Sequence, residues 1–151
     1  MKMASVLLLG LAVVVSLSGC GNVQGERPSV VGEVSLEVSG GFTGWDRIVR
    51  IDKDGGVTIQ VLRGPAIGTS RAKGLDKDSL KTLQTLVAST AFAELESAYL
   101  PPAGGADEQD YLVGAEVGGK VLVRRTRDGA NIPNVLAQVL AVLNAVLAGG
   151  V

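Results

Sequence analysis

From residue 33 onward the chain alternates. Val34, Leu36 and Val38 are apolar, while Glu33, Ser35, Glu37 and Ser39 are polar. A period of two marks a strand with one face in a core. Residues 47–51 (RIVRI) predict a second strand, and residues 52–56 (DKDGG) a turn of residue types that tolerate positive φ. Val57, Ile59 and Val61 share one face of a third strand over 57–62. Residues 63–74, rich in glycine and carrying Pro65, read as a loop. The period then changes. Leu80, Leu83 and Val87 recur at helical spacing with Leu86 beside them, and Asp76 or Asp78 is placed to cap a helix over 75–89. Phe92 and Leu95 extend this apolar face past a short turn.

Residues 101–110 (PPAGGADEQD) form a second expected loop. Strands over 111–117 and 120–125 follow, joined by Gly118-Gly119, a two-residue hairpin connection. Pro133 stands where a helix begins, since its missing N–H is not needed there. Leu136, Val139, Leu140, Leu143 and Leu147 trace an amphipathic stripe behind it. The order β-β-β-α-β-β-α puts strands in hairpins and leaves helices to cover one face. The expected fold is α+β, an antiparallel sheet with helices on one side, in a single domain over residues 32–148.

The region ahead of that domain is patterned differently. Lys2 precedes an apolar run over 6–15 and small residues over 16–19. This is the layout of an export signal, shorter than the roughly 20 apolar residues a membrane span needs. It ends in Leu17-Ser18-Gly19-Cys20, which resembles the bacterial lipobox. The resemblance implies that residues 1–19 are removed and that Cys20 carries a diacylglyceryl group, a palmitate-type lipid attachment. One acyl chain holds a membrane only marginally, whereas two anchor stably. Residues 20–31 are then a lipidated N-terminus and flexible tether. The ten polar, Gly- and Pro-containing residues 21–30 reach roughly 16–19 Å as a flexible coil. The expected location is the bacterial cell envelope, lipid-anchored on the extracytoplasmic side of a membrane.

Charge narrows the partners. Without residues 1–19, 13 basic residues face 15 acidic ones, which leaves no electrostatic case for nucleic acid. The one basic cluster, residues 124–127 (RRTR), is expected as a solvated strand edge. The chain has 1 cysteine, so no internal disulfide is available and packing must hold the domain.

Chemistry is excluded more firmly than it is offered. The chain has 0 histidines, which removes His-assisted nucleophiles, histidine metal sites and the commonest neutral-pH base. Asp52-x-Asp54 opens like a calcium loop, but Val57 stands where that loop needs glycine. Ser70-x-x-Lys73 matches a nucleophile motif without its companion motifs. Glu94 and Glu96 need not converge, and Asp107, Glu108 and Asp110 read as a solvated loop. No enzyme, cofactor or metal is expected.

What remains is an unusual turn. SGGFTG (39–44) follows the first strand, and Trp45 closes it. An L-x-x-L helix then leads to Phe92 and Leu95, Pro101-Pro102 precedes Gly105-Ala106-Asp107 and Tyr111, and Pro133 opens the last helix. This ordered set resembles the emfourin family over about residues 33–147. Its namesake inhibits thermolysin-like metalloproteases such as protealysin. The resemblance implies an α+β fold and a protein that inhibits or binds an extracytoplasmic metalloprotease. The alternative is an envelope module that binds another protein or a small ligand without inhibiting anything. Gly40, Gly41, Phe42, Thr43, Gly44 and Trp45 are the candidate protein-binding edge. Phe42 and Trp45 serve either as packing for the sheet edge or as anchors in a partner.

Overall fold

The structure, a computed structural model, describes residues 29–105 and 107–149. The expected export signal, Cys20 and the tether as far as residue 28 lie outside the described residues. Seven strands and three helices follow: β1 (Val31–Gly40), β2 (Asp46–Ile51), β3 (Val57–Arg63), β4 (Gly68–Ala72), α1 (Lys77–Val87), α2 (Thr90–Ala93), β5 (Ala98–Tyr99), β6 (Gln109–Val117), β7 (Lys120–Arg127) and α3 (Asn134–Gly149). The sheet order is β4-β3-β2-β1-β6-β7-β5. Every pairing is antiparallel except β5 with β7. The α+β class and the helices on one face are as the periodicities predict.

Alternation sets the faces. Val34, Leu36 and Val38 of β1 lie in register with Ile51, Val49 and Arg47 of β2, and with Ala115, Val113 and Tyr111 of β6. The apolar members of that set are buried or, at Tyr111, partly buried, and Val57 and Ile59 of β3 are buried with them. Leu83, Val87, Phe92, Leu136, Val139, Leu140, Leu143 and Leu147 press onto them from the helices, with Leu80 partly buried beside them. All buried core residues fall between Val31 and Leu147. A chain starting at residue 21 therefore carries the whole core. Val31, the last residue of the expected tether, is already buried and paired with Val117.

The helix starts are capped locally. The Asp76 carboxylate accepts from the N–H groups of Asp78 (3.1 Å) and Ser79 (2.9 Å), satisfying donors that the first turn leaves free. Ser89 caps α2 by accepting from the Phe92 N–H at 3.2 Å. α3 starts at Asn134, one residue after Pro133, and the Pro133 carbonyl accepts from the Ala137 N–H at 3.1 Å.

Two strands go beyond the expected set. Residues 63–74, read as a loop, contain β4, which pairs with β3 from Val57↔Ala72 to Val61↔Gly68. GTSRA carries no apolar alternation because β4 is an edge strand, exposed along almost its whole length. The two-residue β5 occupies the opposite edge. The sheet thus has two distinct ends. At the entry end lie the start of β1, the turns at 52–56 and 118–119, and residues 72–76. At the far end, about 30 Å away by the rise of a ten-residue strand, lie the turns at 41–45 and 64–67 and the start of β6.

Candidate functional site: the glycine-cornered turn at the far end

The β1–β2 connection is a closed turn. The Gly44 N–H donates to the Gly41 carbonyl at 3.1 Å, leaving Phe42 and Thr43 at its apex. Gly40 and Gly41 have φ of 82° and 74°, a region that side chains with a Cβ rarely enter. Space excludes a Cβ as well. At Gly40 it would stand 3.0 Å from the Glu108 carbonyl oxygen, and at Gly41 2.7 Å from Cγ of Gln109. The close approach is used, because the Gly41 N–H donates to that Glu108 carbonyl at 3.0 Å.

A second tie comes from Asp46. Its Oδ1 accepts from the Gly40 N–H at 3.3 Å, and its Oδ2 receives Arg63 Nη2 at 2.6 Å and Nε at 2.9 Å. The Arg63 bonds hold the Asp46 carboxyl below the usual carboxylate range. The turn is therefore fixed from both sides of its base.

The two aromatics part company here. Phe42 is 91% exposed. Trp45 folds back against Gly64, where an added Cβ would lie 3.4 Å from the indole Cγ, and the Arg47 guanidinium sits 5.4 Å from the indole centroid. Trp45 is scaffold, and Phe42 is presented to solvent. Ile67, 73% exposed, stands on the 64–67 turn at the same end of the sheet.

Behind the turn lies a charged network on the start of β6. Asp110 receives Arg125 and Arg127, each with one N–H at 3.0 Å and another at 3.2 Å. The Arg127 hydrogen bond, then that of Arg125, lowers the Asp110 pKa against the opposing effect of burial. The Tyr111 hydroxyl donates to Asp128 Oδ1 at 2.9 Å and lies 3.0 Å from Gln109 Oε1. Burial, with the Asp128 carboxylate, pushes the Tyr111 phenol up to about 12. These groups brace the strand ends that carry the turn.

The basic run 124–127 is not a solvated edge throughout. Arg125 and Arg127 pair with Asp110, but Arg124 is only 8% exposed and Thr126 is buried. Period two explains it: Arg124 lies in register with inward-facing Val113, and Thr126 with Tyr111. Arg124 donates from Nη2 to the carbonyls of Phe92 (3.3 Å) and Ala93 (3.0 Å) at the end of α2.

The remaining motifs disperse. Asp52 Oδ1 accepts from the N–H groups of Asp54 (2.9 Å) and Gly56 (2.8 Å), so its carboxylate closes the β2–β3 turn. Ser70 lies on exposed β4 and Lys73 beyond its end. Among the described residues, no group of three or more Asp, Glu, His or Cys is placed to hold a metal ion. Among them, no helix is long and apolar enough to cross a membrane.

One feature at the entry end goes beyond the sequence reading. An open groove of about 650 Å³ runs between residues 72–79 and the last two turns of α3. Its signal is a second stripe on α3, Ala141, Val142, Ala145 and Val146, beside the one that faces the sheet. No protein-family model matches the chain, and no curated protein matches it.

Proposed function

We infer that the chain is a lipid-anchored envelope protein whose far end binds, and thereby inhibits, a thermolysin-like metalloprotease outside the cytoplasm. The observation that carries the binding half is Phe42, 91% exposed on a turn tied down at both ends of its base. An aromatic side chain on a fixed backbone loses little freedom on docking, and such residues are frequent interface anchors. The protease class comes from the likeness of the ordered motifs to emfourins, and the anchor from the lipobox-like Cys20. The domain then stands with its entry end toward the bilayer and Phe42 facing away from it. The groove at the entry end favours a second reading, an envelope module that takes a small ligand without inhibiting a protease.

The test uses residues 21–151, with thermolysin as the probe protease and an envelope extract as the source of natural partners. The expected result is titratable inhibition of thermolysin and retention of an envelope metalloprotease. Retention of a different protein through Phe42, with thermolysin unaffected, would favour a non-inhibitory binding module. No retention that depends on Phe42 would remove the binding edge itself.

A further inference from the structure

We propose that the groove between residues 72–79 and α3 seats one acyl chain of the lipid carried by Cys20. This rests on the lipid-anchor reading above, and concerns the end of the molecule opposite Phe42.

The first argument is the character of the wall. Ala72 and Leu75 form one side together with the polar Lys73, Asp76 and Ser79, and Ala141, Val142, Ala145 and Val146 form the other, at about 650 Å³. That volume lies within the range of about 300–1,000 Å³ common for small-molecule sites. α3 carries no charged residue over Asn134–Gly149. Leu136, Val139, Leu140, Leu143 and Leu147 are buried in the core and Val142 and Val146 pack partly against it, which leaves Ala141 and Ala145 exposed along the groove. The uncharged α3 side of the groove favours an apolar occupant over water.

Position then selects the occupant. Ala72 is paired to Val57, Val57 to Ile51, and Ile51 to Val34. Ala72 is therefore level with Val34, three strands away, or about 14 Å at the usual strand spacing, and Val31 lies about 10 Å further along β1. The ten residues between Cys20 and Val31 can span at most roughly 33–36 Å. The mouth of the groove is thus within the reach of Cys20. The open groove with small side chains exposed on the α3 side (Ala141, Ala145) suits an unbranched chain better than a folded partner's surface. A chain seated there leaves the membrane, so the lipid's remaining chains hold the protein at the bilayer.

The experiment feeds expressing cells a fatty acid bearing a diazirine and an alkyne, purifies the full mature protein, irradiates it and maps intramolecular crosslinks by mass spectrometry. The intact mass reports the lipid on Cys20 separately from the crosslinks. The expected result is a crosslink from the acyl chain to peptides covering 72–79 or 141–149 of the same chain. Ala145→Trp should reduce it at least ten-fold with the acyl mass and melting temperature retained. Ala141→Gln, at an exposed residue of the same wall, serves as the second variant if Ala145→Trp does not fold. An acylated protein without a groove crosslink overturns this inference and leaves the anchor standing. No acyl mass on Cys20 overturns both. A groove crosslink that persists in Cys20→Ser assigns the groove to free membrane lipid and overturns the proposed source.

Discussion

The Arg124 guanidinium lies 5.6 Å from the Phe92 ring centroid and donates to the Phe92 carbonyl, so one buried cation caps the short helix α2 from the sheet side. It has no carboxylate partner among the described residues. The charge is met by carbonyl oxygens at a helix C-terminus and by the face of an aromatic ring. Arg124→Ala removes the charged donor shared by the Phe92 and Ala93 carbonyls, leaving the Phe92 carbonyl with the Leu95 N–H alone. The expected cost is about 2–3 kcal/mol, read from urea unfolding. A loss under about 0.5 kcal/mol would show that the carbonyls are satisfied by other means.

Leu83 sits at the centre of the helix–sheet contact with 0% exposure. Leu83→Ala should cost about 2–5 kcal/mol. The same truncation at half-buried Leu86 should cost clearly less, which makes the comparison a check on the register of α1. Equal losses would place the helix face wrongly.

Phe42 and Trp45 should respond in opposite ways. Phe42→Ala leaves the melting temperature nearly unchanged and weakens partner binding by roughly 30-fold, the equivalent of about 2 kcal/mol for an interface anchor. Trp45→Ala removes the packing on Gly64 and the Arg47 contact. It should lower stability by about 1–2 kcal/mol, less than the 3–5 kcal/mol typical of a fully buried aromatic. Destabilisation by Phe42→Ala with intact binding would reverse the two roles.

Tyr111 gives a pH signature. Its folded-state pKa is raised to about 12, whereas an unfolded tyrosine ionises near 10. The neutral phenol is the form the fold prefers, so its contribution is fully present below pH ~10. It is lost as pH rises from there through about 12. Ultraviolet titration should resolve a tyrosine ionising late, and Asp128→Asn should bring it earlier. Late ionisation unchanged by Asp128→Asn would leave burial as the whole cause.

The legible part of the fold was the part whose periodicity faces the core. Val34, Leu36 and Val38 announce β1, and Leu136 to Leu147 announce α3, because each buries one face and wets the other. β4 escaped because Gly68–Ala72 buries neither face, so its pairing rests on backbone hydrogen bonds that no side chain records. Arg124 escaped for a related reason. A charged residue at an inward position breaks the apolar alternation, and only the register with Val113 reveals where it points. The turn at 39–45 was visible as a candidate edge. Its division into a docked Trp45 and a presented Phe42 depends on Gly64, a residue almost twenty positions further on. The groove left a mark in the second stripe of α3, but its other wall comes from 72–79, across the fold.

The position of β1 has a mechanical consequence. Val31 and Gly40 are the two ends of one central strand, with the route to residue 20 leaving from one and the Phe42 turn following the other. Tension applied between those two points runs along the covalent backbone of β1. Neither flanking hairpin lies in the load path, so they are not pulled apart by it. The ladders to β2 and β6 act as lateral bracing for a strand that is already near full extension. Force between the N-terminal side and whatever grips Phe42 would be transmitted as through a taut cord, with the rest of the domain riding on it unstrained.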